Sequence, residues 1–262
     1  MSQQAEIVAI KTIFITGAAH GIGLATAMRF AERGWFVGLY DINEQALQTL
    51  LQSGSFPRAC GQVCDVTSAA SVEAALAHFA THTGGRMDVL VNNAGVLSAG
   101  KFEEVPAEQH ERIIAVNVGG LTRVAQAAFP MLQQTPRSTL VNLCSVSSVH
   151  GIPMLAVYSA SKFYVNGLTE ALHIEWAKYG IRVTSVKPPL VNTAMGHAVD
   201  ALQVGRFRID MQPEHVAEAI ELAISGKRMG YLLGTSSRVW GWLDRLLPEG
   251  GRRALTRYLT NQ

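Results

Sequence analysis

The sequence predicts an α/β fold in which a parallel sheet is covered by helices on both faces. Two observations carry this. Short, nearly unbroken apolar runs alternate with longer amphipathic stretches along almost the whole chain. Such runs lack the in–out alternation of a half-exposed strand, so both faces of the sheet must be buried. No linker rich in Pro, Ser or charge breaks the series, which points to one domain over residues 1–262.

The elements follow in order. Val8–Thr16 is a buried strand that stops at Gly17. Ile22–Arg33 has helical spacing of Ile22, Ala25, Met28 and Phe30, and Gly34 closes it. Trp35–Tyr40 is the next strand, with Asp41 at its tip, and a helix runs from about Glu44 to Gln52. Ala59–Cys64 is a strand, and Ser68 can cap the Ala-rich helix after it. Asp88–Val91 is a strand, followed by a long helix from about Pro106 to Gln133. Thr139–Leu143, Arg182–Val186 and Tyr231–Leu233 are further strands, separated by helices over Val157–Tyr179 and Pro213–Ser225. Right-handed crossovers then bring consecutive strand ends to one edge.

Composition excludes several classes. The apolar share is 48% and the charged share 16%, which suits a large core and argues against disorder. A net charge of +2 offers no broad footprint for nucleic acid, and Arg252, Arg253 and Arg257 read as a solvated helix face. The cysteines, Cys60, Cys64 and Cys144, are odd in number and form no Cys-x-x-Cys pair. With no histidine cluster evident beside them, neither a disulfide framework nor a metal site is expected. The N-terminus, MSQQAEIVAIK, lacks the basic region and cleavage site of a secretory signal, so a cytoplasmic location is expected.

Thr16-Gly17-Ala18-Ala19-His20-Gly21-Ile22-Gly23 joins the first strand to the first helix. Glycines in that position let the backbone turn tightly and approach a pyrophosphate seated on the helix N-terminus. The context is that of a Rossmann-type nucleotide fold, with Gly17, His20, Gly21, Ile22 and Gly23 as candidate contacts. Asp41 ends the second strand, where a carboxylate can accept both hydroxyls of an adenosine ribose and repel a 2′-phosphate. Ile42 follows it, so no neighbouring cation would welcome that phosphate, and NAD is favoured over NADP.

Tyr158-Ser-Ala-Ser-Lys162 places a phenol and an ammonium four residues apart, on one helix face. A free phenol titrates near about 10, and a neighbouring Lys⁺ and a positively charged nicotinamide ring would both lower that value toward useful acid–base work. Thirteen residues before Tyr158, Ser145 lies just past a strand at the sheet edge that carries the glycine loop, so its hydroxyl could hold a reacting oxygen. Local sequence leaves Ser147 and Ser148 as alternatives.

These motifs together resemble the short-chain dehydrogenase/reductase family in its single-domain form, from about Lys11 to Tyr231. Asp65-Val66 resembles the family pair that contacts adenine, and Asn92-Asn93-Ala94-Gly95 resembles its N-N-A-G segment. Pro188 to Thr193, including Val191, resembles the segment that holds the nicotinamide carboxamide. The resemblance implies a sheet of about seven strands and hydride transfer between NAD(H) and an alcohol or carbonyl. It assigns catalysis to Asn117, Ser145, Tyr158 and Lys162, and cofactor contacts to Asn93, Ala94, Gly95, Tyr158 and Lys162 besides the loop. Two positions depart from the family. Pro189 replaces a Gly, fixing φ and removing an N–H, and His20 stands where NADP-preferring members carry a basic residue.

Residues 190–212 fall where this family keeps a substrate lid, and carry Met195, His197, Val199, Leu202, Val204 and Phe207. With Ser145, Val149, Met154 and Leu155 they predict an apolar pocket for a steroid, retinoid or long-chain alcohol. The apolar extension at 236–262 has three readings: a cap on the pocket, a cover for a partner subunit, or, least favoured, a membrane-surface helix. Family analogy adds a homodimer or homotetramer paired through Pro106–Gln133 and Val157–Tyr179. The rival readings are a 3-oxoacyl-[acyl-carrier-protein] reductase-like enzyme and, more distantly, an NAD-sensing regulator without chemistry.

Overall fold

The structure, a computed structural model, describes residues 10–202 and 208–260. Seven parallel strands form one sheet in the order β3-β2-β1-β4-β5-β6-β7. They are β1 (Thr12–Thr16), β2 (Phe36–Asp41), β3 (Ala59–Val63), β4 (Val89–Asn92), β5 (Thr139–Leu143), β6 (Arg182–Lys187) and β7 (Gly230–Leu232). The helices between them are α1 (Gly21–Glu32), α2 (Glu44–Gln52), α3 (Ala69–Thr83), α4 (Ala107–Ile114), α5 (Leu121–Gln134) and α6 (Ala156–Glu175). Then come α7 (Ala194–Ala201), α8 (Pro213–Ser225), α9 (Thr235–Leu246) and α10 (Glu249–Thr260).

Period-two alternation sorts the side chains into two cores. Ile13 and Ile15 of β1, with Val37 and Leu39 of β2, pack beneath α1, α2 and α8. Phe14 and Tyr40 point the other way, toward α3 and α5, and Phe14 stacks on Tyr40 at 4.1 Å between ring centroids. Both faces are therefore buried, which is why the strands read as continuous apolar runs. At the N-terminal edge Asp88 ties β1 to β4: its carboxylate accepts from Thr12 N at 2.9 Å and pairs with Arg86.

Local signals act where expected. Ser68 caps α3 by accepting from Ser71 N, and Gly34, at φ +75°, turns the chain out of α1. Other boundaries move. The first strand begins at Thr12, with Ile10 half exposed before it, while Val8 and Ala9 lie outside the described residues. The long helix predicted over 106–133 is interrupted by a π-helical segment, Ala115–Gly120. A Cβ at Gly120 would sit 2.6 Å from Val66 Cγ2, so a side chain there would drive the helix off the β3–α3 loop.

Candidate active site

The C-terminal ends of the strands share one edge, and the chain reverses direction across the sheet between β1 and β4. A crevice opens at such a switch point. Here it is a cavity of about 1220 Å³. Its walls come from the loops after β1, β2, β4, β5 and β6, together with α7 and the C-terminal helices.

At one end lies the glycine loop. Gly17 and Gly21 have φ of +65° and +52°, conformations that L side chains resist. A Cβ at Gly23 would fall 1.9 Å from the Gly17 carbonyl oxygen and 2.7 Å from Asn93 Nδ2, so only glycine lets α1 start this close to the strand. Asn93 Nδ2 donates to the carbonyls of Thr16 and Gly17, both at 2.9 Å. In return the buried Thr16 hydroxyl accepts from Asn93 N at 3.0 Å and Ala94 N at 3.1 Å. The predicted glycine loop and N-N-A-G segment are thus one hydrogen-bonded unit. Asp41 stands beside it: one carboxylate oxygen accepts from Ala19 N and the other from Asn43 N, each at 3.0 Å. Each oxygen keeps a lone pair toward the cavity for a further donor.

At the middle of the cavity the predicted polar groups converge. Ser145, at the end of β5, lines the cavity together with Tyr158, and its hydroxyl favours the phenolate. Its Oγ also accepts from Ser147 N at 3.1 Å. The Lys162 ammonium lies 5.5 Å from the Tyr158 ring centre and donates to the Leu143 carbonyl at 2.9 Å. Of the three candidate serines, Ser145 is the one whose hydroxyl acts on the phenol; Ser147 also lines the cavity and accepts from Ser145 Oγ at 3.2 Å, whereas Ser148 is turned back onto the Ser145 carbonyl. Asn117, on the π-helical segment, is buried and does not line the cavity. It bonds the Val96 backbone through both side-chain atoms and donates to Ser161 Oγ at 3.2 Å.

Within the chain itself, burial raises the Tyr158 pKa and the Ser145 hydroxyl opposes this. Burial also lowers Lys162, since the charged form of each group loses water.

The far end is apolar. Leu155, Met195 and Val199 line it as predicted, beside Val146, Ile152 and Leu190. Val149 and Met154 do not. Val149 lies 3.9 Å from the position of a Cβ on Gly241, beneath α9. Met154 takes a φ of +65°, and its carbonyl accepts from Gly100 N at 2.9 Å. Asp65 and Val66 are also away from the cavity: the Asp65 carboxylate accepts from Thr67 N at 2.8 Å, and Val66 is pressed against Gly120. Val204 and Phe207 of the predicted lid lie outside the described residues. His20, Ile22, Pro188, Pro189, Val191 and Thr193 all face the cavity, and Thr193 lies opposite Gly21.

The C-terminal helices cover the pocket in the way the first reading of the tail expects. Trp240 of α9 is buried in a cluster with Val146, Ile152, Leu155 and Val199, and both Trp240 and Leu259 of α10 line the cavity. The extension caps the pocket. Val239, Trp242 and Leu246 on its other side are exposed. Among the described residues no helix is long and apolar enough to cross a membrane.

A sequence model described as short chain dehydrogenase matches residues 11–203. The chain belongs to the short-chain dehydrogenase family. It is accordingly a nucleotide-binding oxidoreductase. A family relative, the D-threitol dehydrogenase of Mycolicibacterium smegmatis, is 33% identical over 221 residues, covering 80% of this chain and 84% of the relative. The 3-ketoacyl-(acyl-carrier-protein) reductase of Brucella melitensis, solved with NADH, superposes with a TM-score of 0.76 at 27% identity. That match covers 85% of this chain and 96% of the reductase. A variant of actinorhodin polyketide ketoreductase, solved with NADPH, gives a TM-score of 0.77 at 32% identity, covering 85% and 95%.

The cysteine reading needs a correction as well. His78 and His82, one helical turn apart on α3, lie beside Cys60 of β3, so this one cysteine has histidine neighbours. The His78-x-x-x-His82 spacing was the available signal. What the sequence did not display was that α3 folds back over β3.

Proposed function

We propose that this chain transfers a hydride between NAD(H) and a lipophilic alcohol or ketone, with Tyr158 moving the proton. The observation that carries the reading is one continuous cavity. Asp41 and the glycine loop lie at one end, the Ser145–Tyr158–Lys162 group in the middle, and an apolar wall at the other end. The residues present fit a dinucleotide, because side chains are excluded from Gly17, Gly21 and Gly23 where a pyrophosphate would meet the backbone. Bound there, NAD(H) supplies or accepts the hydride.

The chain's own groups do the rest. The loop amides and the α1 N-terminus hold the phosphates. Asp41 accepts the ribose hydroxyls and disfavours a 2′-phosphate. Ser145 donates to the substrate oxygen and holds it beside the phenol. In reduction Tyr158 gives its proton to that oxygen, and in oxidation it takes the proton back. Burial keeps the phenol protonated at neutral pH, which suits the donor role. Lys162 holds the nicotinamide ribose, and Asn117 positions the helix segment behind it. Pairing of two or more copies through α5 and α6 belongs to the same reading, since Phe163 and Ile174 of α6 are exposed.

Titration with NADH and NADPH tests the cofactor half. NADH is expected to bind more tightly by at least about tenfold, and Asp41→Ser to narrow the gap. For the chemistry, Tyr158→Phe should abolish turnover while leaving NADH binding intact, which also separates an enzyme from a sensor. Full activity in that variant sinks the mechanism. Turnover of a small polyol beside inert steroids and long-chain alcohols sinks the substrate class.

A second reading has an observation in its favour. Arg252, Arg253 and Arg257 of α10 line a recess of about 390 Å³ with His150, next to the capped pocket. A basic rim of this kind suits an acyl chain delivered on an acidic carrier. Faster reduction of a carrier-linked 3-oxoacyl thioester than of the free ketone would favour this reading.

A further inference from the structure

On the edge of the sheet opposite β7, Cys60 of β3 and His78 and His82 of α3 offer ligand atoms that all lie within 4.8 Å of one another. No group of the proposed mechanism is involved. Cys60 is buried, His78 half-buried and His82 exposed, so the cluster runs from the core to solvent. The two Nε2 atoms of the histidines face each other at 3.4 Å. On a tetrahedral zinc with bonds of about 2.0–2.1 Å, two nitrogens stand roughly 3.4 Å apart.

Tyr40 supplies the supporting contact. Its hydroxyl lies 3.0 Å from His78 Nδ1 and 3.5 Å from Cys60 Sγ. If Nδ1–H donates to the Tyr40 oxygen and the Tyr40 O–H donates to sulfur, the chain of donors has one direction. His78 Nε2 is then left with its lone pair outward, toward His82. Ligating histidines are commonly fixed in this way, with the second ring nitrogen donating to an outer partner.

We infer that Cys60, His78 and His82 form a site for a borderline-soft divalent cation of the zinc class. One thiolate and two imidazoles match that preference, and a solvent molecule takes the fourth position. On binding, the Cys60 S–H bond breaks, sulfur bonds to the metal, and the proton leaves to solvent. The metal would pin α3 to β3, the strand at the free edge of the sheet, and so act on stability rather than on turnover.

The competing account is a plain hydrogen-bond relay from Tyr40 through His78 to His82, with no metal. Titration of the reduced, chelator-treated full chain with Co(II) separates the two. The expected result is a near-ultraviolet sulfur-to-cobalt charge-transfer band with tetrahedral visible bands, all displaced by Zn(II). Cys60→Ser should remove the charge-transfer band, and Cys64→Ser should leave it. His82→Ala, at an exposed position, should weaken Co(II) binding by more than the roughly 10–100-fold that loss of an outer-shell partner alone can cause. Zn(II) should raise the melting temperature of the wild type by several degrees and leave that of His82→Ala unchanged. A wild type with no charge-transfer band, or a band that survives Cys60→Ser, overturns the site. Should Cys60→Ser not fold, equal Co(II) affinity in His82→Ala and wild type overturns it.

Discussion

Thr16→Val is the most informative single change outside the catalytic group. Thr16 is fully buried at the end of β1, and its hydroxyl oxygen accepts from two backbone amides, Asn93 N at 3.0 Å and Ala94 N at 3.1 Å. Valine keeps the shape and removes the acceptor. Each donor stranded at full burial costs about 1–3 kcal/mol. Asn93 and Ala94 are only half-buried, so water recovers part of this. The pair should cost about 2–3 kcal/mol in all. In a chain of this size that lowers the melting temperature by roughly 4–10 °C. The same change frees the Asn93 segment from the glycine loop, so NADH affinity should fall too. Thr16→Ser restores the acceptor and should recover most of both losses. The assays are thermal unfolding by circular dichroism and NADH binding by fluorescence. If the valine variant melts within a degree of wild type and binds NADH equally well, the hydroxyl is not the tie between the two loops.

Trp240→Ala opens the apolar end while leaving the glycine loop intact. KM for a lipophilic substrate should rise by about tenfold or more, as expected when one large apolar contact is lost, with NADH affinity unchanged. An unchanged KM would refute the capping role in substrate binding. Glu221 of α8 accepts from Arg29 Nε at 2.5 Å and Arg33 Nε at 3.0 Å of α1. Burial alone would raise its carboxyl, but the two guanidiniums outweigh this and hold it below the ordinary range. A depressed carboxyl contributes stability above its unfolded pKa and loses it as pH falls through the folded value. Glu221→Gln should therefore destabilise by about 1 kcal/mol or less near neutrality. Its difference from wild type should vanish in acid well below the ordinary glutamate pKa, as followed by denaturant midpoints across pH. A gap that persists in strong acid would refute the assignment.

The sequence displayed what is local and repetitive. Buried runs such as Thr139–Leu143, the Ser68 cap and the Gly17–Gly23 turn each depend on neighbours a few residues away. Ser145, Tyr158 and Lys162 were also legible, because the ends of parallel strands must share an edge. What stayed hidden depends on contacts between distant segments. The π-helical segment at Ala115–Gly120 ends where Gly120 packs so close to Val66 that no side chain fits. Val149 and Met154 look like pocket residues until α9 covers one and a left-handed turn redirects the other. Trp240 could be weighed only as one of three possibilities, since nothing near it in sequence names its partners. Asp65 and Val66 match a family pattern and do not line the cavity.

The C-terminal closure of the cavity has an evolutionary corollary. The stretch matched by the family model ends at residue 203, whereas Trp240 and Leu259 come from beyond it. The apolar end of the cavity thus combines side chains from beyond that stretch with Leu155, Met195 and Val199 from within it. Mutations in the last two helices could retune what the enzyme accepts while leaving untouched the sheet that binds the dinucleotide.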